Sequence, residues 1–115
     1  MKHLKDLLSI IADATGVKPQ AFAIRDIEKL PAMSYTIYRA SDNGSKEQWR
    51  MQTRITAKSL AEALDIERKL TDALCSIGDG TIAGCSIEVN GGGTMLEQQS
   101  GLPQQLTYFD ITTKS

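Results

Sequence analysis

The chain has 115 residues, enough for one domain and hardly two. Apolar residues make up 41% and charged residues 23%, a balance that excludes a disordered chain. Thirteen basic residues nearly cancel fourteen acidic ones, and the formal charge of -1 gives no long-range pull toward nucleic acid or anionic lipid.

The two cysteines, Cys75 and Cys85, are too few for a disulfide framework, although a single bridge between them would close only a short loop. The basic start, Met1-Lys2-His3, is followed by a stretch that Asp6 and Asp13 interrupt, which is not the pattern of a signal peptide. No segment approaches the roughly 18 apolar residues that span a bilayer. The expectation is a soluble cytoplasmic protein folded as one α/β domain over residues 1–115.

The first element is a helix over about residues 2–14. Leu4, Leu7, Leu8 and Ile11 recur at one-face helical spacing, and Gly16 suits the left-handed position past the last turn. Residues 17–31, between Pro19 and Pro31, read as a short strand at 21–25 or as a linking coil. From Met33 the period becomes two: Met33, Tyr35 and Ile37 alternate with Ser34, Thr36 and Tyr38. Ala40-Ser41-Asp42-Asn43-Gly44-Ser45 has the chemistry of a turn. In the next strand Trp49, Met51, Thr53 and Ile55 point one way, while Gln48, Arg50, Gln52 and Arg54 point the other. Such alternation predicts an antiparallel hairpin with one buried and one polar face.

Ser59-Leu60-Ala61-Glu62 is a capping box that opens a second helix. Its apolar arc holds Leu60, Ala63, Ile66, Leu70, Leu74 and Ile77, and Gly78-Asp79-Gly80 ends it. Glu67 falls inside that arc, where an unpaired charge is costly, so it is expected to pair with an arginine or a tyrosine hydroxyl. Cys85, Ile87 and Val89 predict a third strand. Gly91-Gly92-Gly93 interrupts it as a bulge or loop, and the strand resumes near Met95. After a turn at Ser100-Gly101-Leu102-Pro103, a last strand over 104–113 carries apolar residues on both faces, as a central or interface strand does. The expected fold is α+β in the order α-β-β-α-β-β, with two helices packed on one face of a mostly antiparallel four-stranded sheet.

Little in the sequence carries reaction chemistry. His3, the single histidine, lies at a helix start, which disfavours Ser-His-Asp and Cys-His devices. Two cysteines and one distant histidine do not form a zinc spacing. The glycine triplet lacks the lysine and following helix of a phosphate-binding loop. Asp65 and Glu67 are two apart on a helix and cannot face each other. No catalytic, cofactor-binding or metal-ligating residue is assigned. Arg50 and Arg54, with Gln48 and Gln52 and with Arg39 and Lys46 near, read either as a solvated sheet face or as a contact surface. Stacking aromatics are missing from that set, which argues against single-strand nucleic-acid binding.

Several runs together resemble a family of small phage neck and tail subunits. They are Leu4-Lys5-Asp6-Leu7-Leu8, Leu30-Pro31 ahead of Tyr35-Thr36-Ile37-Tyr38, Ser41-Asp42-Asn43, Ile55-Thr56, Leu60…Leu64…Glu67-Arg68-Lys69-Leu70, Glu97-Gln98-Gln99-Ser100-Gly101-Leu102 and Leu106-Thr107-Tyr108-Phe109. The family comprises tail terminators and head–tail joining proteins, the phage lambda tail terminator among their structural relatives. The chain departs from its pattern at Met33 and at Gly91-Gly92-Gly93.

The resemblance implies a non-enzymatic structural subunit of a phage or prophage tail or neck, in the role of tail terminator, tail completion or head–tail joining protein. It implies a ring of copies, commonly a hexamer, with tail-tube and head connector proteins as partners. No cofactor, membrane or sequence-specific nucleic acid enters. Assembly would occur in the host cytoplasm and the product would reside in the virion. Arg39, Asp42, Asn43, Lys46, Gln48, Arg50, Gln52, Arg54, Gly91, Gly92 and Gly93 are then the candidate interface. The turns 40–48 and 90–103 are expected to order on docking. The rival readings are a small dimeric ligand-binding or regulatory module, and an enzyme that relies on carboxylates and arginine alone.

Overall fold

The computed structural model describes residues 4–22, 30–42, 44, 46–75, 85–98 and 100–114, with backbone alone at Asp42 and Lys114. Helix α1 (Leu4–Thr15) buries Leu7 and Ile11 fully, as its apolar stripe requires. It ends at Gly16, whose φ of 74° lets its N–H reach the Ala12 carbonyl at 2.9 Å. Residues 1–3, and with them His3, lie outside the described residues.

Strand β1 (Pro19–Ala21) pairs parallel with β2 (Ala32–Asp42), Pro19 opposite Met33 and Ala21 opposite Tyr35. The sheet is therefore mixed and five-stranded, in the order β1-β2-β3-β5-β4, rather than four-stranded. A three-residue strand is too short to display a period of two, and only its tertiary pairing creates it. The expected strand at 21–25 falls mostly on residues 23–29, outside the described part of the chain.

β2 and β3 (Lys46–Thr56) form the expected antiparallel hairpin. The turn is tighter than its composition suggested, because Ser41 pairs with Gln48 and Asp42 with Glu47. A register shift between Arg39 and Ser41 absorbs the extra residue. Asn43, assigned to this turn, lies outside the described residues.

Helix α2 (Leu60–Cys75) starts where Ser59 Oγ accepts the Glu62 N–H at 3.2 Å. Ala63, Ile66, Leu70 and Leu74 are its buried residues, whereas Leu60 is 42% exposed. Ile77 and the Gly78-Asp79-Gly80 stop fall outside the described residues.

Strand β4 (Cys85–Leu96) is one continuous strand, so Gly91-Gly92-Gly93 is not a loop between two. Of the two expected readings the bulge holds: Val89 faces Phe109 and Gly92 faces Thr107, so Asn90 and Gly91 stand against Tyr108 alone. A Cβ on Gly92 would collide with the Leu106 carbonyl oxygen and lie 3.2 Å from Thr107 Cα. Strand β5 (Pro103–Lys114) follows a turn in which Glu97 N–H meets the Leu102 carbonyl at 2.9 Å. Most of the 40–48 and 90–103 stretches is thus paired strand before any docking.

The core lies between one sheet face and the helices. Met33, Met51, Ile55, Phe109 and Ile111 from the sheet meet Leu7, Ile11, Leu70 and Leu74, all fully buried, and Trp49 packs against them half-buried. Burial of each such side chain contributes about 1.5–3 kcal/mol. β5 is central, between β3 and β4, and its inward residues are Gln105, Thr107, Phe109, Ile111 and Thr113. Buried hydroxyls and amides are paired: Gln104 Nε2 donates to Thr56 Oγ1 at 3.1 Å, and Thr53 Oγ1 to the Thr107 carbonyl at 3.4 Å. Strands of 11–12 residues span about 36–40 Å, whereas α2 with 16 residues spans about 24 Å. The long axis of 44 Å is therefore set by the sheet, and α2 covers only part of its length.

Candidate assembly surfaces

Strand alternation puts Lys46, Gln48, Arg50, Gln52 and Arg54 on the sheet face away from the core. Pairing register then does what sequence alone could not. It lines Tyr38 of β2, Arg50 of β3 and Asp110 of β5 across the strands. Arg50 Nε lies 3.1 Å from Asp110 Oδ1, and Asn90 Nδ2 on β4 donates to Asp110 Oδ2 at 2.8 Å. Asp110, and after it the Tyr38 hydroxyl, push the Arg50 pKa above its ordinary value, so its charge is permanent. A polar chain thus crosses four strands, and Tyr38, Arg50, Asn90 and Tyr108 line a concavity of about 280 Å³ over it.

The expected interface residues separate into three places. Gln48, Arg50, Gln52 and Arg54 share the polar face, with Ser41 Oγ donating to Gln48 Oε1 at 3.1 Å near the hairpin end. Arg39 lies opposite Trp49, which its alternation with Tyr35 and Ile37 puts on the other side of the sheet. Gly91, Gly92 and Gly93 belong to β4 at the sheet edge. The sequence reading missed Tyr38, Asn90 and Asp110 as members of the polar face network, and its expectation that aromatics are missing from this face is corrected by Tyr38 and Tyr108, which the register puts beside Arg50.

A second surface lies between α2 and the β4 bulge. Glu67 accepts the Thr107 hydroxyl at 2.6 Å, so its partner is a threonine rather than an arginine or a tyrosine. Around that pair Thr71, Val89, Gly91, Gly92, Gly93 and Gln105 enclose a cleft of about 370 Å³. Thr107 faces inward because the β5 alternation puts it with Phe109, and that is how a core-side hydroxyl reaches the helix carboxylate. Elsewhere on α2, Asp65 is ion-paired at 3.0 Å with Arg68 and at 3.3 Å with Lys69. The Arg68 hydrogen bond first, then Lys69, hold its carboxyl below the usual range.

Cys75 is exposed, Cys85 is buried, and both are free thiols. Among the described residues no helix is long and apolar enough to cross a membrane, and no group of three or more His, Cys, Asp or Glu is placed to hold a metal ion.

No protein-family model matches the chain, and no curated protein sequence matches it. Solved structures do. A chain in the virion of a native gene transfer agent particle superposes with a TM-score of 0.62 over 99% of this chain and 90% of its own, at 12% identity. The bacteriophage SPP1 gp17 protein superposes with a TM-score of 0.55 over 96% of this chain and 86% of its own, at 11% identity. The fold is thus shared with a chain of that virion and with the SPP1 gp17 protein. At such identities the likeness is one of backbone architecture over nearly the whole chain.

Proposed function

We propose that the chain is a structural subunit of a phage or phage-like particle, placed in the tail or neck and built into a ring of copies. The observation that carries this reading is the near full-length fold match to a virion chain, with 99% of this chain covered. The surfaces support it. The polar face holds Tyr38, Arg50 and Tyr108 together, residue types that anchor protein contacts, on a cross-strand polar network. Arg54, Gln52 and Gln48 continue that face, so a neighbour would meet an extended polar surface. Repetition of one heterologous contact around an axis would close a ring, with a hexamer as the first expectation. Tail-tube and head connector proteins are the natural partners of such a ring, as terminator, completion or joining subunit.

The test is co-expression with tail-tube and connector proteins from the same gene cluster, followed by light scattering and negative-stain microscopy at high protein concentration. Closed rings, or a stoichiometric complex with either protein, are expected. A strict monomer indifferent to both would sink the reading.

A further inference from the structure

The sheet has two edges, and they are not alike. On one side β1 is three residues long, starts at a proline, which has no N–H to offer, and covers only Met33–Tyr35 of β2; the margin continues along β2 from Thr36 to Asp42, which carries Arg39 and Asp42. The β4 edge is twelve residues long and, from Val89 to Leu96, exposed throughout and without a charged side chain. Charge and proline, two of the devices that blunt natural edges, are missing from Val89 to Leu96, and past the bulge the run from Gly93 to Leu96 is suited to receive another strand.

The flank beside that edge is patterned. On α2, Leu60, Leu64, Glu67 and Thr71 follow one another at one-face helical spacing, and Glu67 and Thr71 already line the cleft. Leu64 is 42% exposed, Leu96 66% and Val89 46%. Ala57 N–H binds the Pro103 carbonyl at 3.2 Å and Pro103 pairs with Leu96, so the start of α2 and the end of β4 share one end of the sheet. The cleft itself holds acidic Glu67 and apolar Val89, and the exposed Leu64 and Leu96 belong to the Pro103 end of the sheet beside it. The glycine floor lets a second backbone approach closely. Thr107 is the single hydrogen-bond partner of Glu67 among the described residues, it meets Oε2 alone, and both residues line the cleft.

We propose that this cleft receives an extended segment of another virion polypeptide, which adds to the β4 edge and places a lysine or arginine on Glu67 between two apolar side chains. Charge decides the occupant. A second copy paired through its own β4 about Gly92 would bring two Glu67 carboxylates beside the same two-fold axis, with no cation among the described lining residues to separate them. A basic strand with apolar residues two positions to either side meets the wall as it stands, because alternate side chains of a strand share a face. The proposal rests on the assembly reading only for the origin of the segment; the cleft's chemistry does not depend on ring formation.

The test uses the full chain, isotope-labelled, titrated with a blocked heptapeptide of alternating threonine and valine with lysine at the centre, and with the same peptide carrying glutamate there. The lysine peptide is expected to shift and protect backbone amides of residues 93–96, and to bind about tenfold tighter than the glutamate peptide. Glu67→Gln should bring the two peptides to within about twofold of each other. Leu64→Lys, on an exposed position, should weaken the lysine peptide and serves if Glu67→Gln does not fold. Equal binding of the two peptides, a preference that survives both variants, or shifts confined to other strands would overturn the proposal. Self-association through β4 that the lysine peptide does not displace would also overturn it, by giving the cleft to a second copy. Neither result would bear on co-assembly with tube or connector, which is measured separately.

Discussion

At the scale of single residues, the free cysteines make a contrast that can be read in solution. Cys75 is exposed on α2 and Cys85 is buried at the start of β4, where burial pushes its thiol above the ordinary 9.0. Iodoacetamide near pH 8 should therefore label Cys75 and spare Cys85 in the folded chain, as peptide mass mapping would show. The linkage follows in sign: the unfolded thiol ionises at a lower pH than the folded one. The Cys85 contribution to stability is thus whole below 9.0 and falls as pH rises through that value. A Cys85→Ser variant should lose that alkaline slope.

Gly92 supplies a second residue-scale test. Gly92→Ala puts a methyl into the Leu106 carbonyl and should cost about 2 kcal/mol or more in chemical denaturation. Gly93→Ala meets open space and should cost less than about 1 kcal/mol. The sequence marked both glycines as an interruption without distinguishing them, because the crowding comes from β5, a strand more than ten residues away in the chain. The same holds for Arg50 and Asp110, 60 positions apart. Alternation put Arg50 on a polar face but left the face of Asp110 undecided, and only the register of β3 against β5 makes them neighbours.

At the scale of elements, α2 was the most legible. Its capping box and helical period are local signals, and the structure puts Ser59 Oγ on the Glu62 N–H as that motif requires. Ser59→Ala should lower stability by about 1 kcal/mol without changing the sheet, measurable as a shift of the thermal midpoint with unchanged far-ultraviolet dichroism. The β2–β3 hairpin was legible for the same reason, since Trp49, Met51, Thr53 and Ile55 keep phase over the whole strand. β1 was not, because its three residues carry no period and depend on β2 for pairing. β4 was read as a strand to Val89 that resumes near Met95, and its continuity was hidden because the bulge changes its phase: Val89, Gly92 and Thr94 face one side, an odd then two even positions. Glu67 was rightly singled out as a charge in an apolar arc, but its partner depends on the β5 face, which the sequence left undecided.

At the scale of the whole molecule, the long sheet and the shorter helix α2 leave two surfaces with different chemistry, a polar face and an apolar-rimmed edge. Arg50 is solvent-exposed, so its pair with Asp110 should add little to folding, and Arg50→Ala should leave the unfolding midpoint near that of the wild type. If the polar face meets a neighbour, the same variant should reduce ring yield by light scattering, and Asp110→Asn should do so less. Ring formation unaffected by Arg50→Ala would move the subunit contact off this face. The neutral overall charge made this division invisible to composition, since like numbers of acids and bases say nothing of where they gather.

The bulge in β4 also bears on how the chain tolerates a change in length. Val89 stays opposite Phe109 and Gly92 opposite Thr107 whether or not Gly91 stands between Asn90 and Gly92, because Asn90 can then take the place across from Tyr108. A chain shortened by that one glycine should keep every other strand where it is and differ only in a straighter outer margin. Variation of this kind would pass unnoticed by the core and be registered solely by whatever molecule rests along that margin.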